Sequence, residues 1–560
     1  MWRRLGLSAA GGLCLWLSFP TLGIWPLAIL GVALLSLATC GVRARAGFLY
    51  GLVGGAACML PVLHWTGIYV GAVPWLALGV TESIYLGFLG LGIAILQSAR
   101  PIRWLPNWLW PRNSPHVRPF CVAILWVVQE GVRSSWPFGG FPWARLAWSQ
   151  SGSPLAHLAS IAGGPGLSFA VAFLGAVLAA VVHRTFPRLL GGSTVDDEVV
   201  RTSTAGSAAS FLPAVPAGSV WGRGWPAVAV VAVVAGSIWY PTPTSGSKLQ
   251  VVGIQGNVPT MGLDFNAQRE GVLNYHAETT ARAAAMVRSG TIPQPDLVVW
   301  PENASDIDPT RNADAMTKIL RSVAVVKAPL ILGAVLNQPA PDVSNASLLF
   351  LPGQGLVAQY IKQHPVPFAE YIPDRSFFAH FSDKVNLVKV DFAKGKKTGL
   401  FTIPTKTHGA VKVGPVICFE VAYDNLVRAP VEDGAQMIIV QTNNATFGRT
   451  AESEQQLAIS RIRAIEHGRS VVHISTVGVS GLITPDGVVH DRSSLFTSKV
   501  LSGALPLRST LTISDRLGAL PENLAYAIAV ALFFLSAVGS RRGRETSHHN
   551  KRSSRGSQLV

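Results

Sequence analysis

The chain has few charged residues, and this shortage restricts what it can be. Only 14% of its 560 residues are charged, whereas soluble domains carry about 25%. Its mean hydropathy is +0.36. These values indicate a membrane protein, or a membrane protein that carries a soluble domain.

The chain also has too few cysteines for a disulfide framework. Four of the five (Cys14, Cys40, Cys58 and Cys121) lie in or beside apolar segments, and only Cys418 lies in the hydrophilic part. The sequence lacks zinc-ligand spacing, a P-loop and any RNA-binding motif. It therefore predicts no metal, no cofactor and no nucleic-acid partner, despite a formal net charge of +16.

Long apolar segments are what the chain has in abundance. About 17–25 apolar residues can cross a bilayer, and eight candidate spans lie near 5–22, 24–41, 47–70, 73–97, 118–134, 159–183, 224–241 and 519–539. Arginine and lysine are concentrated in alternate loops and in the C-terminal tail, which predicts that both termini are cytoplasmic. The hydrophilic segment then lies on the extracytoplasmic side.

These features divide the chain into four parts. Residues 1–245 hold seven spans, 246–508 form the hydrophilic domain, 509–540 hold the last span and 541–560 form a basic tail without predicted structure. Glu82 and Glu130 lie within or near spans, where they are either functional groups or partners of a neighbouring helix. The aromatic residues between 134 and 151 form either an interfacial belt or an arm that contacts lipid or substrate.

Within 246–508, short apolar strands alternate with amphipathic helices. Strands are predicted at 249–254, 297–300, 330–335, 348–351, 356–361, 411–417, 437–441 and 471–475, and helices at 265–288, 313–326 and 454–466. This alternation is typical of an α/β sheet covered by helices. The domain has about 260 residues, which is enough for one large core.

Three of the predicted strands are followed by a reactive side chain. Glu302 comes just after the strand at 297–300, Lys362 after the strand at 356–361 and Cys418 after the strand at 411–417. Taken singly, each has a plain explanation, because loop glutamates and lysines are usually solvated and a free cysteine often packs as a small apolar residue. If the three strands end at the same edge of one sheet, the side chains converge on one pocket.

The chemistry of these groups suggests complementary roles. Cys418 would be the nucleophile, because a thiolate attacks carbonyl carbon, and Glu302 would take its proton as the general base. The Lys362 ammonium would stabilise both the thiolate and the oxyanion of a tetrahedral intermediate. Glu370 lies eight residues after Lys362 in a proline-rich loop, where it would hold Lys362 in place or act as a second base.

Three motifs carry a family resemblance: Trp-Pro-Glu at 300–302, Lys362 with Glu370, and Gly-Pro-Val-Ile-Cys-Phe-Glu at 414–420. They resemble the nitrilase (carbon–nitrogen hydrolase) superfamily and its Glu–Lys–Cys triad. With membrane spans before and after the domain, the resemblance narrows to the bacterial apolipoprotein N-acyltransferases. It implies an αββα sandwich for the hydrophilic domain, with catalytic Glu302, Lys362 and Cys418 and with Glu370 as a supporting acid.

The resemblance also implies a two-step (ping-pong) acyl transfer in the bacterial cytoplasmic membrane. Cys418 would accept an acyl chain from a phospholipid as a thioester, and the α-amine of the S-diacylglyceryl cysteine of an apolipoprotein would then receive it. A monomer without a cofactor is expected. Phe419, Ala369 and Asn303 depart from the family's usual residues, and these departures bear on lipid preference and on the oxyanion site.

Two alternatives remain open from the sequence. A membrane-tethered amidase that hydrolyses a small amide would share the triad, and a requirement for a lipid acyl donor would separate it from the acyltransferase. A non-catalytic lipoprotein-binding protein would form no thioester. Four apolar side chains near Glu370 would either cover the pocket or pack in a core: Phe368, Tyr371, Phe377 and Phe378.

Overall fold

The structure is a computed structural model that describes residues 1–99, 117–186, 235–237, 240, 242–259, 269–380 and 382–556, with side chains described as far as residue 538. In this part of the chain, six apolar helices precede a mixed α/β domain. They are α1 (Trp2–Ser18), α2 (Pro26–Thr39), α3 (Ala44–Val62), α4 (Ala72–Ser98), α5 (Pro119–Arg133) and α6 (Ala159–Thr185).

Four helical segments among the described residues are long and apolar enough to cross a membrane: Ala44–Val62, Ala72–Ser98, Pro154–Thr185 and Leu520–Val538. Helix α2 is apolar but shorter. Helices α1 and α5 coincide with two further predicted spans. The span predicted near 224–241 falls mostly outside the described residues.

Helices α3 and α4 approach closely because glycine recurs every fourth residue along α3. A Cβ atom at Gly47 would lie 2.5 Å from the carbonyl oxygen of Gly90 on α4. A side chain at this position would therefore push the two helices apart. Small residues at this spacing are usual where membrane helices pack against each other.

The hydrophilic domain contains two six-stranded sheets. The first has the order β12-β1-β2-β3-β4-β5 and the second has the order β11-β10-β9-β8-β7-β6. The strands are β1 (Lys248–Gln255), β2 (Leu297–Val299), β3 (Leu330–Leu336), β4 (Ser344–Leu351), β5 (Gly355–Ile361), β6 (Phe401–Thr405), β7 (Gly409–Ile417), β8 (Met437–Thr442), β9 (Ser470–Ser475), β10 (Gly481–Ile483), β11 (Val489–His490) and β12 (Lys499–Pro506).

Further helices lie among and after these strands. They are α7 (Arg269–Arg288), α8 (Ala313–Val326), α9 (Arg375–Phe378), α10 (Asp424–Glu432), α11 (Glu452–His467), α12 (Ile513–Leu517) and α13 (Leu520–Gly556). Val251, Val299 and Ile439 belong to the core between the two sheets. Helices α7 and α8 cover the first sheet, and α10 and α11 cover the second. The expected αββα order is therefore present.

The core under α10 and α11 continues into the membrane helices. Ile438 of β8 and Ile462 of α11 belong to the same buried cluster as Val171 of α6. Helix α11 also contacts α6 directly. The second sheet, through its helices, is therefore the one that lies against the membrane part.

The sequence predicted the interior strands better than the edge strands. Helix α8 has the predicted bounds, and the predicted turn at 352–355 joins β4 to β5, with Gly353 and Gly355 at positive φ. Strands β6, β10, β11 and β12 were not predicted. The last of these pairs with β1 at the edge of the first sheet and is only partly buried, so its pattern is less apolar than that of an interior strand.

A buried ion cluster joins the segment after α5 to the α/β domain. Arg145 donates to the two carboxylate oxygens of Asp424 at 3.0 and 2.8 Å, and Arg463 donates to the same carboxylate at 2.7 Å. Both guanidinium groups lie over the Trp148 ring, at 5.9 and 4.8 Å from its centroid. Burial alone would raise the pKa of Asp424, but the two arginines hold it well below its ordinary value.

The aromatic residues after α5 are divided between two environments. Trp143 and Trp148 are buried, whereas Trp136 and Phe138 are exposed. Trp143 donates to Gln455 of α11 at 2.7 Å. The buried tryptophans therefore attach this segment to the α/β domain, a role that neither predicted alternative included.

The two acidic residues near the spans are paired. Glu82 of α4 accepts from Arg133 of α5 at 3.2 Å. Glu130 accepts from the Trp126 indole at 3.0 Å and from the backbone N–H of Leu146 at 2.8 Å. The contact of Glu82 joins α4 to α5 and favours the helix-pairing alternative, whereas the partners of Glu130 lie on its own helix and in the segment that follows it.

We expect Asp424→Asn to weaken the attachment of the α/β domain to the membrane part. Arg145 and Arg463 would remain buried with one carboxylate fewer to balance them. Removing one partner of a buried ion pair destabilises a protein by about 3–5 kcal/mol. Thermal unfolding of the full chain in detergent should show a large fall in melting temperature.

The pair of Glu454 and Arg492 provides the matched control. Their side chains are 22% and 51% exposed, and exposed pairs contribute about 0–1 kcal/mol. Glu454→Gln should therefore change the melting temperature little. Equal losses for the two variants would show that the buried cluster contributes no more than a surface pair.

Candidate active site

The three predicted catalytic side chains come from two sheets. Glu302 follows β2 and Lys362 follows β5 in the first sheet, whereas Cys418 follows β7 in the second. The prediction of a single sheet is wrong, because the order of strands along a chain does not reveal which sheet each one joins. The candidate site lies where strand ends from the two facing sheets meet.

Lys362 lies between two carboxylates. Its Nζ is 3.1 Å from Glu302 Oε1 and 2.9 Å from Glu370 Oε1. Asn345 of β4 donates from Nδ2 to the same two oxygens, at 2.7 and 2.9 Å. Glu302 and Lys362 are 4% and 1% exposed. The structure thus brings the predicted base, cation and supporting acid into direct contact.

The carboxylates keep Lys362 charged. Burial alone would lower the pKa of Lys362, but Glu302 and Glu370 outweigh this effect and raise it well above its ordinary value. The side chain is therefore an ammonium at neutral pH. An ammonium donates hydrogen bonds and cannot accept a proton, so Lys362 cannot act as a base in this state.

A glycine on β3 allows the Glu302 loop to approach the sheet. A Cβ atom at Gly333 would lie 2.5 Å from the carbonyl oxygen of Pro301 and 2.6 Å from the Cα of Glu302. A larger residue would displace the loop. The position of the carboxylate therefore depends on the absence of a side chain at 333.

Cys418 occupies a turn with an unusual backbone conformation. Its φ is +53°, in the left-handed region, which costs a non-glycine residue about 1–3 kcal/mol. Strand β7 ends at Ile417, and a short 3₁₀ helix, Cys418–Ala422, begins at the cysteine. The side chain is half-buried. Strain of this kind is concentrated at functional sites.

The resting sulfur is a thiol. Burial raises the pKa of Cys418, and the negative charge of Glu302 raises it further. The positive charge of Lys362 and a hydrogen bond with the Thr442 hydroxyl oppose these effects but do not overcome them. The thiolate is the nucleophilic form of cysteine, so attack by Cys418 would require a base to remove the thiol proton.

Glu420 has a positioning role that the sequence analysis did not identify. It is fully buried, and its carboxylate accepts from the backbone N–H groups of Ile417, Gln363 and His364 at 2.9, 2.7 and 3.2 Å. The Tyr360 hydroxyl donates to it at 2.9 Å. Glu420 thus ties the turn at the nucleophile to the segment around Lys362. The sequence shows an acidic residue two positions after the cysteine. Its partners Tyr360 and Gln363, however, lie about sixty residues away in sequence.

Part of the predicted cover of the pocket forms an aromatic cluster. Phe368 and Phe378 have ring centroids 4.8 Å apart, and both contact Phe138 of the segment after α5, at 5.8 and 6.0 Å. Phe368 and Phe377 are 46% and 56% exposed. The cluster therefore lies at the surface beside the membrane part.

The groups at the site suit attack on a carbonyl carbon. They are a thiol, two carboxylates and an ammonium that can stabilise an oxyanion. Within the described ranges, no group of three or more His, Cys, Asp or Glu side chains is placed to hold a metal ion.

The fold and the site define a carbon–nitrogen hydrolase domain carried by membrane helices, and family comparisons agree. The family model described as Carbon-nitrogen hydrolase matches residues 254–512. The model described as Apolipoprotein N-acyltransferase N-terminal domain matches residues 11–177. Among solved structures, an amidase of the nitrilase superfamily from Nesterenkonia AN1 is similar to this chain at 16% identity, with a TM-score of 0.37, over 50% of this chain and 98% of that one.

Curated relatives extend the match to nearly the whole chain. The apolipoprotein N-acyltransferase of Mycolicibacterium smegmatis is 37% identical over 558 residues, which cover 96% of this chain and 86% of that protein. Those of Pseudomonas paraeruginosa and Geobacter metallireducens are 29% and 27% identical, over 90% and 97% of this chain and 90% and 96% of their own lengths. The chain belongs to the apolipoprotein N-acyltransferase family.

We expect Glu302→Gln to separate thiol reactivity from catalysis. Glu302 raises the pKa of Cys418, so its neutral replacement should lower that pKa and speed alkylation of Cys418 by iodoacetamide at neutral pH. Formation of an acyl-enzyme should instead fall by about 100-fold or more, because the general base is lost. Peptide mass spectrometry distinguishes Cys418 from the four other cysteines.

Lys362→Met is the companion variant. Lys362 lowers the pKa of Cys418, so its loss should slow both alkylation and acylation. Slower alkylation in Glu302→Gln, or acylation at the wild-type rate, would contradict the assignment of Glu302 as the base.

Proposed function

We propose that the protein transfers an acyl chain from a phospholipid to apolipoproteins through a thioester on Cys418. The observation that carries the proposal is the arrangement of Glu302, Lys362 and Cys418 at facing strand ends, in a domain whose core continues into membrane helices. The printed names of the relatives, apolipoprotein N-acyltransferase, support the acceptor class.

The first step forms the thioester. The Cys418 sulfur attacks the carbonyl carbon of a phospholipid acyl ester, and Glu302 takes the thiol proton as the C–S bond forms. Lys362 stabilises the negative oxygen of the tetrahedral intermediate. The ester C–O bond then breaks, and the leaving glycerol oxygen takes the proton from Glu302 to give a lysophospholipid.

The second step forms the amide. The α-amine of the S-diacylglyceryl cysteine attacks the thioester carbon, and Glu302 takes a proton from the amine nitrogen. The C–S bond breaks, and the sulfur receives that proton, which restores both Cys418 and Glu302. Glu370 holds Lys362 in place through its 2.9 Å contact. The reaction as written needs no cofactor.

The membrane attachment suits a reaction between two lipids. Moving an acyl chain from a bilayer into water costs about 0.8 kcal/mol per CH₂ group, so a site at the membrane surface avoids a large barrier. The exposed aromatic cluster around Phe368 and Phe378 faces the segment after α5. In this position it would keep water from the thioester and so favour transfer over hydrolysis.

We further propose eight spans, cytoplasmic termini and an extracytoplasmic catalytic domain in a monomeric protein. The four long apolar helical segments and the shorter apolar helix α2 support a multi-pass arrangement. The distribution of arginine and lysine supports the orientation. A membrane-tethered hydrolase of small amides is the second candidate, since it would use the same triad, but it leaves the match of the N-terminal domain unexplained.

Intact-mass measurement tests the first step. After incubation of the detergent-purified protein with phospholipid, we expect an added acyl mass that hydroxylamine removes. The Cys418→Ala variant, treated in parallel, should gain no mass because it lacks the nucleophile. Absence of an adduct on both proteins, when the donor is shown to bind, would favour the small-amide hydrolase.

Cysteine labelling tests the orientation. In a cysteine-free background, Lys394→Cys places a thiol at an exposed position of the α/β domain, and Arg45→Cys places one at an exposed position in the first turn of α3. A membrane-impermeant maleimide should label only Lys394→Cys in intact spheroplasts. Labelling of Arg45→Cys before permeabilisation would reverse the proposed orientation.

A further inference from the structure

A second set of buried polar side chains reaches Cys418 and has no part in the mechanism described above. Gln456 of α11 donates from Nε2 to the Cys418 sulfur at 3.6 Å. The Thr442 hydroxyl, at the end of β8, lies 3.4 Å from the same sulfur. Gln456 and Thr442 are 1% and 0% exposed. Both groups therefore touch the reacting atom from within the protein.

The orientation of the Gln456 amide is fixed by its oxygen. Oε1 accepts from the Thr442 hydroxyl at 2.7 Å and from Asn444 Nδ2 at 3.0 Å. An amide oxygen only accepts, and an amide nitrogen only donates. Because the oxygen is engaged by two donors, the nitrogen with its hydrogens is the atom that faces the sulfur.

Asn444 is oriented in turn by partners on both sides. Its Nδ2 also donates to Glu452 Oε2 at 2.6 Å, and its Oδ1 accepts from the Ser475 hydroxyl. The Ser475 oxygen already accepts from the backbone N–H of Gly478 at 2.8 Å. The Ser475 proton is therefore free to point at Asn444, and the reversed orientation of the Asn444 amide would break these hydrogen bonds.

We propose that Gln456 is a further catalytic residue, which donates a hydrogen bond to the Cys418 sulfur when that sulfur carries negative charge. Asn444 and Glu452 are positioning residues that keep this donor aimed at the sulfur. The timing rests on the proposed thioester mechanism, in which negative charge develops on the sulfur twice: when the thiol is deprotonated and when the thioester is cleaved. Hydrogen bonds to charged groups are stronger than those between neutral groups.

Gln456 and Lys362 would stabilise negative charge on different atoms. Lys362 lies on the side of the first sheet, where it pairs with Glu302 and Glu370. As a cation, it is suited to stabilise the oxyanion of the tetrahedral intermediate. Gln456 lies on a helix that covers the second sheet and reaches the sulfur directly. One donor lies on the side of each sheet. Lys362 can therefore stabilise the carbonyl oxygen while Gln456 stabilises the sulfur, the two atoms that become negative.

Glu452 acts by orienting Asn444 and not by moving protons. It is 2% exposed, and burial raises its pKa to about 8, so it is mostly protonated at neutral pH. Its Oε2 can accept from Asn444 in either protonation state. Only amide groups connect it to the sulfur, and neutral amides do not readily relay a proton.

Alkylation of Cys418 tests the donor without any lipid. The full chain in detergent is treated with iodoacetamide across neutral and alkaline pH, and the rate at Cys418 is followed by peptide mass spectrometry. Gln456→Met should raise the apparent pKa of Cys418 by about 1 unit and slow alkylation at neutral pH by about tenfold, the expected effect of losing a hydrogen bond to a charged group. A wild-type pH profile in this variant would overturn the proposal.

Gln455→Met is the matched control. Gln455 is the neighbouring buried glutamine of α11, but it pairs with the indole N–H groups of Trp65 and Trp143 and not with the sulfur. Its loss should lower the melting temperature and leave the pH profile of Cys418 unchanged. An equal shift of the profile in both variants would show a general packing effect and overturn the proposal.

Gln456→Glu keeps the length of the side chain but removes the donor when ionised. It should slow alkylation at alkaline pH more than Gln456→Met does, because a second negative charge then faces the thiolate. Faster alkylation than in Gln456→Met would contradict the role of the amide N–H. Gln456→Glu can replace Gln456→Met in the alkylation test if Gln456→Met does not fold.

Two variants of Glu452 test its positioning role. Glu452→Gln retains an oxygen that can accept from Asn444, so it should leave alkylation at neutral pH unchanged. At alkaline pH it should speed alkylation, because the charge of ionised Glu452 raises the pKa of Cys418. Glu452→Leu should instead slow alkylation at neutral pH, in part as Gln456→Met does. Equal slowing in both variants at neutral pH would indicate a role for the acidic proton, and slowing in neither would show that Glu452 does not position the donor. Because alkylation needs no acyl donor, these outcomes are independent of whether an acyl-enzyme forms.

Discussion

A fully buried ammonium needs compensating negative charge, and the active site is built around this requirement at Lys362. Each carboxylate about 3 Å away attracts it by about 5 kcal/mol at an effective dielectric constant near 20. Two carboxylates share the one cation, and the amide of Asn345 donates to both. This excess of negative charge has a use. In the proposed mechanism Glu302 takes a proton, and Glu370 would still balance Lys362, so that Glu302 could change its charge without leaving a buried ammonium unpaired.

Cys418, the proposed nucleophile, is aligned with this cation through a buried carboxylate. Glu420 binds the strand end before Cys418 and the segment after Lys362 at the same time. Burial raises the pKa of Glu420, so its ionised form depends on the backbone N–H groups and the hydroxyl that surround it. Catalytic groups must be held within about 0.5 Å of a productive geometry. The contact across the two sheets supplies that alignment, which neither sheet provides alone.

The sequence analysis proposed these groups as catalytic and missed most of their partners, for a physical reason. The alternation of apolar residues is local, so it located the strands and showed that Glu302, Lys362 and Cys418 follow strand ends. It did not show that β7 joins a second sheet. Asn345 lies inside a buried strand, and its sequence context does not distinguish it from other strand residues. Gln456 is likewise indistinguishable from the other polar residues of an amphipathic helix. Their partners are set by the packing of distant segments, which periodicity does not report.

The turn at the nucleophile is also part of the contact with the membrane helices. Phe419, the residue after Cys418, stacks on Phe141 and Trp143 of the segment after α5, with ring centroids 5.4 and 5.5 Å apart. Arg463 donates to the backbone carbonyls of residues 421 and 422, at 2.8 Å each. A short strained turn held on one side by the active site and on the other by the membrane part cannot shift without disturbing both. The geometry of the thiol is therefore set in part by the same contacts that join the α/β domain to the membrane helices, which a soluble hydrolase would have to replace with contacts of its own.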